Sequence, residues 1–189
     1  MYLEDVKNDE NICKQFSEQE IDYCKKRKNF LESLAGKMAA KKAVNKLFEN
    51  SIDLSSIEII NSKIGTPEVY LNGKKTEIKC SISHSNKKAV AVACKDNLVG
   101  VDIEEENKNV DDHFMRFVFS DREIRDNENL WIEKFCIKEA VIKILNNVKN
   151  MREIEIVQGK IYVFGEYDKS LTFNINHKKG YVIASVIKL

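Results

Sequence analysis

The run "NLVGVDIEEEN" sets Asp102 two residues before Glu104. In an extended strand such residues project to one side, here with Leu98 and Gly100, while Val99, Val101 and Ile103 take the other. Two carboxylates about 7 Å apart at their Cβ atoms can share a divalent cation, directly on one side and through water on the other. Mg²⁺ suits such a pair, because it is commonly held by one or two carboxylates together with substrate phosphate oxygens. The same residues also read as a strand running out into a solvated acidic loop.

Another acid stands in "FCIKEAVIKIL" (Phe135 to Leu145), where Glu139 precedes Lys143 by one helical turn. Ile137, Ala140, Val141, Ile144 and Val148 form one apolar face at helical spacing. The opposite side carries Ile132, Phe135, Cys136 and Ile142 besides the charges, which predicts a helix buried on two faces. A carboxylate in such partly dry surroundings needs a cationic partner or a metal. An ordinary ion pair between Glu139 and Lys143 is the plainer reading.

"SISHS" puts His84 between Ser83 and Ser85 at an expected hairpin tip, with Lys87 and Lys88 following. Hydroxyls, turn amides and an imidazole can together grip a phosphate, although a lone turn histidine can equally be solvent-exposed. "CKKRKNF" (Cys24 to Phe30), with Lys37, Lys41 and Lys42, makes the first half locally basic. That pattern reads as a solvated helix face, or as a surface for an acidic partner or a further phosphate. His177 lacks flanking serines and is expected to be structural, and His113 has no informative neighbours.

The elements that must position these groups belong to a chain of 189 residues, 43% hydrophobic and 32% charged, with a formal net charge of +1. These values are those of a folded chain with its own core, and no global field points to nucleic acid or a membrane. No apolar run approaches a membrane span, and "MYLEDVKNDE" has no signal-peptide core. Five cysteines without a C-x-x-C pair fit reduced thiols in a cytoplasm, packed as small core residues.

The chain reads as though written twice. "AAKKAVNKLF" (Ala39 to Phe48) resembles "CIKEAVIKIL" (Cys136 to Leu145) at a spacing of 97 residues, and "IEI" recurs at Ile57 and Ile154 with the same spacing. "FSEQEI" pairs with "FSDREI", "VYL" with "IYV", and "SISHSNKKAVAVA" with "NINHKKGYVIAS", all in register order. Two halves follow, 1–97 and 98–189. Each is expected to carry a helical segment, a long helix and three strand-like runs. The expected class is α+β, with each long helix on a small antiparallel sheet, a pseudo-twofold relation between halves, and an active site at their seam.

In order, "SISHS", "VGVDIE", "FSDRE" and "FCIKEAVIK" resemble the 4′-phosphopantetheinyl transferase superfamily. That family has a Gly-Ile/Val-Asp-x-Glu strand followed by a Phe/Trp-x-x-Lys-Glu-Ala/Ser-x-x-Lys helix; here Glu139 lies 37 residues after Asp102. The resemblance runs from about Phe16 to "YVIASV". The internal repeat is similar to the longer, surfactin-synthetase-activating (Sfp-type) branch, in which two copies are fused. Lys42 then stands where a metal-binding Glu would be in the first copy.

The resemblance implies transfer of 4′-phosphopantetheine from coenzyme A to a serine of an apo acyl or peptidyl carrier protein, with adenosine 3′,5′-bisphosphate released. It implies Mg²⁺ on Asp102, Glu104 and Glu139; the reaction needs a proton acceptor, for which Glu139, directly or through a metal-bound water, is the choice, with Lys143 as the other catalytic group. Lys138 and Lys143 would face the coenzyme A phosphates. Ser83 and His84 would contact its 3′-phosphate or pyrophosphate side. Gly65 and Pro67 would contribute through "GTP", where Thr66 replaces the family's usual Lys, and Asn29 or Glu32 stands where a basic residue is often found. It further implies an acidic carrier partner and a cytoplasmic monomer that uses neither nucleic acid nor membrane. A non-catalytic coenzyme A- or carrier-binding paralogue of the same fold is the alternative. A generic Mg²⁺ phosphohydrolase is the third reading.

Overall fold

The computed structural model describes residues 13–126, 129–145 and 147–189. The opening "MYLEDVKNDE" lies outside them. The chain divides between Leu98 and Val99 into two compact units.

The first unit runs α1 (Glu18–Lys25), α2 (Phe30–Lys46), β1 (Ile57–Asn61), β2 (Pro67–Leu71), β3 (Lys74–Ser85) and β4 (Lys88–Cys94). Its strands form one sheet in the order β1-β2-β3-β4, each neighbour antiparallel. Helix α2 packs on β4, β3 and β1. Ala40 and Val44 meet Ile57, Ile59 and Val69 in a core whose side chains are almost wholly buried. Each such Val or Ile contributes about 1.5–3 kcal/mol.

The second unit runs β5 (Leu98–Glu105), α3 (Asp112–Val118), α4 (Asp121–Arg125), α5 (Trp131–Ile142), β6 (Ile154–Val157), β7 (Lys160–Val163), β8 (Glu166–Tyr167), β9 (Leu171–Lys178) and β10 (Tyr181–Lys188). Its strands divide into two sheets, β5-β10-β9 and β6-β7-β8. Where the first unit has a single long β3, the second breaks between β8 and β9. There Asp168 Oδ1 accepts hydrogen bonds from the Ser170 amide and hydroxyl. Helix α5 packs on β10 and β6. Ile137, Ala140, Val141 and Ile144 join Ile154, Ile156, Val182 and Val186 in the main core.

The class is α+β with antiparallel sheets. Helix α5 is shorter than its apolar stripe: it closes at Ile142 with Lys143 as its cap, and Ile144 and Val148 reach the core from beyond it. No helix among the described residues is long and apolar enough to cross a membrane.

Candidate active site

Strand β5 is buried from Val99 to Ile103, more completely than a one-sided alternation predicts. Gly100 shows why. A Cβ there would stand 1.9 Å from the Ala140 carbonyl oxygen, so only glycine lets β5 lie directly against α5. That approach sets Asp102 beside the C-terminal turn of α5. Lys143 Nζ donates to Asp102 Oδ1 at 2.9 Å and to the Val101 carbonyl at 2.8 Å. As the cap of α5, Lys143 also sits where the helix dipole favours a cation. The expected Glu139–Lys143 pair is replaced by this one, which joins helix to strand.

Glu104 Oε1 accepts from Lys108 Nζ at 2.7 Å. The Lys108 ammonium lies 4.4 Å from the centre of the Phe135 ring and 5.7 Å from that of Phe114. Glu139 is half-buried one turn before Lys143. Burial raises its carboxyl above the usual carboxylate range, and the charges of Asp102 and Glu104 add to the rise, while Lys143 and Lys108 oppose it. Asp102, Glu104, Glu139 and Lys143 are thus brought together within the second unit. Lys108 is the member that sequence reasoning missed. It follows a strand by three residues in a polar loop and carries no periodic signal.

Lys138 is not part of this group. It has no exposed surface, and its Nζ donates to Glu123 Oε2 at 2.6 Å and to the Val118 carbonyl at 2.7 Å. Burial lowers its pKa to about 8, against the upward pull of Glu123. The expectation that it faces a phosphate is therefore corrected: side chains one residue apart on a helix point in different directions, and this one points into the core. Glu123 also closes a capping box with Ser120 and accepts from the Ile156 amide at 3.0 Å.

The first unit contains the same set of contacts. Lys41 Nζ meets Glu20 Oε2 at 2.8 Å with neither side chain exposed. Glu20 closes a capping box with Ser17 and accepts from the Ile59 amide at 2.9 Å. Phe16 and Phe119 each lie 4.9 Å from their lysine. Lys37 is buried too, against Asn61 Oδ1 and the Ile59 carbonyl. Lys37 and Lys41 therefore leave the basic face expected of α2, and only Lys42 of the three is exposed.

His84 is not at the hairpin tip, because Asn86 and Lys87, both at positive φ, form the turn. His84 pairs with Ala89 inside the β3–β4 ladder. Ser83 is buried and His84 half-exposed, so the two neighbours face opposite sides of the sheet and do not present one phosphate grip. His84 instead lines a cavity of about 340 Å³ with Lys26, Arg27, Lys28 and Glu32. The exposed basic run and the histidine thus share one concavity. Gly65, at φ 91°, and Pro67 lie at the β1–β2 turn, outside the lining of that cavity.

A family model described as the 4′-phosphopantetheinyl transferase superfamily matches residues 98–186. A holo-[acyl-carrier-protein] synthase of Caldanaerobacter subterraneus subsp. tengcongensis is 39% identical over 90 residues, covering 41% of this chain and 71% of that protein. One from Clostridium perfringens is 35% identical over 103 residues, covering 46% of this chain and 77% of its own. The chain belongs to the 4′-phosphopantetheinyl transferase superfamily. It is an enzyme of that transferase class.

Fatty acid synthase subunit alpha of Saccharomyces cerevisiae is 40% identical over 102 residues, 47% of this chain and 5% of that much longer one. An acyl carrier protein synthase structure from Mycobacterium tuberculosis aligns over 47% of this chain and 93% of that one. Its identity is 21% and its TM-score 0.32, too low to bear on the fold.

Phosphopantetheinyl transferases imply a magnesium ion, and the donor set can be tested against it. Three carboxylates whose mutual repulsion helps raise Glu139 are hard oxygen donors of the kind Mg²⁺ takes. Among the described residues no three His, Cys, Asp or Glu converge as a ready-made metal site. Asp102 and Glu104 each hold a lysine instead. The residues suit such an ion in kind and in charge, and holding one would require the ion pairs to rearrange.

Proposed function

We propose that the protein transfers the 4′-phosphopantetheine moiety of coenzyme A to a serine of an apo acyl or peptidyl carrier protein, with Mg²⁺, releasing adenosine 3′,5′-bisphosphate. The observation that carries this reading is the gathering of Asp102, Glu104 and Glu139 with Lys143 across the β5–α5 contact. In the reaction the serine Oγ attacks the β-phosphorus of coenzyme A. The bond to the bridging oxygen breaks, and the serine proton passes to Glu139. Lys143 stands beside the same carboxylates and offsets the negative charge that grows on the bridging oxygen as adenosine 3′,5′-bisphosphate leaves. Asp102, Glu104 and Glu139 would hold the metal, which when bound supplies further positive charge to the diphosphate oxygens. Phosphoryl transfer asks mainly for positioning and electrostatics, so no separate nucleophilic side chain is required.

The first unit's cavity, where three consecutive basic residues meet His84, is suited to a phosphate group. The reading takes the two units as copies of one ancestral unit, supported by the matching Glu–Lys contact sets. The carrier partner would be acidic and drawn to the exposed basic run. The cysteines, all free among the described residues, suit a reducing cytoplasm. Incubation with coenzyme A, Mg²⁺ and apo carrier proteins should add the phosphopantetheine mass to the carrier. Coenzyme A binding without that increment would leave a binding paralogue instead.

A further inference from the structure

We infer that Lys108 is a positioning residue that holds Glu104 while no cation is bound and competes with the divalent cation for it. The inference rests on the reading above for the identity of the ion, but not on turnover. Three observations meet at this side chain. Its ammonium is 2.7 Å from Glu104 Oε1. Its ammonium also lies over the Phe135 and Phe114 rings, whose faces attract a cation. It also lines a cavity of about 390 Å³ with Glu106, Glu133, His177 and Trp131.

A dication approaching Glu104 meets the Lys108 ammonium at short range. Because the ion carries two charges, the repulsion between them is about twice the attraction that one carboxylate offers the lysine at the same distance. Lys108 must therefore yield as the cation binds. The cavity gives it a destination, because Glu106 and Glu133 are carboxylates on the same wall, now engaged with His177 at 2.9 and 3.6 Å. The lysine is in effect exchanged between two sets of acids. Glu104 stays oriented in the metal-free protein, and part of the cation's binding free energy is spent on moving Lys108.

The test is calorimetric titration of the full chain with Mg²⁺, and with Mn²⁺ as a second probe, in the absence of coenzyme A. Lys108→Met keeps an apolar side chain of similar length and removes the charge. It should bind either cation about tenfold more tightly than the unsubstituted protein, while still melting in one cooperative transition. Lys108→Arg, which keeps the charge, should retain the original affinity. Equal or weaker affinity in a folded Lys108→Met protein, or no cation binding by either protein, overturns the inference. Loss of the carrier mass increment in the unsubstituted protein would instead sink the proposed reaction, while the titration still decides the role of Lys108.

Discussion

Replacing Glu139 by Gln removes one negative charge from a half-buried group that already repels Asp102 and Glu104. The variant should melt no lower than the parent, because desolvation and repulsion both ease. Transfer to the carrier should fall at least about 100-fold, the low end for losing a positioned proton acceptor. Near-parental turnover by the mass assay would remove Glu139 from the reaction. The acids of this cluster were legible because a carboxylate inside an apolar helix, and two more at strand spacing, are costly unless used. The lysines were not, since a lysine is taken as solvated by default. Nothing in "IKEAVIK" states that Lys138 turns inward to Glu123 while Lys143 crosses to Asp102. Lys108 was invisible for another reason: its meaning comes from Phe135 and Glu104, which lie on two other elements.

Elements, rather than single residues, bear the consequences of the buried Glu–Lys pairs. Each glutamate ties the capping turn of a short helix, a long-helix lysine and the first strand after that helix. Glu123→Gln and Glu20→Gln should each cost about 3–5 kcal/mol in urea unfolding, because each leaves a buried ammonium without its counter-charge. A second replacement of the paired lysine by Met should recover part of that loss. Gly100→Ala tests the contact between β5 and α5. The added methyl would fall inside the Ala140 carbonyl, so about 1–3 kcal/mol or more should be lost. Turnover should fall with it as Asp102 is displaced. Helix and strand periodicity predicted these elements well. The glycine's purpose was hidden, because a close approach belongs to two segments at once.

For the whole molecule, the cysteines give a direct measure of packing. Burial raises Cys24 to about 11 and Cys80 to about 12, and pushes Cys136 higher still. A thiol raised this way holds almost no thiolate at pH 8, and only thiolate attacks a disulfide reagent. Ellman's reagent at that pH should therefore modify exposed Cys13 quickly, Cys94 more slowly, and the other three only after denaturation. Rapid reaction of a third thiol in the native protein would contradict the described core. The split of the second unit into two sheets was not legible from the sequence. That split turns on the few residues around Asp168, which no repeat comparison weights.

Lys41 and Lys138 bring an experimental opportunity. Each is wholly covered, one in either unit, among many solvated lysines that amine reagents modify at once. In a timed acetylation experiment read by peptide mass, each of these two amines becomes reactive only when its own unit opens. Their two rates form separate clocks, one per unit, that report whether the halves unfold together or in turn.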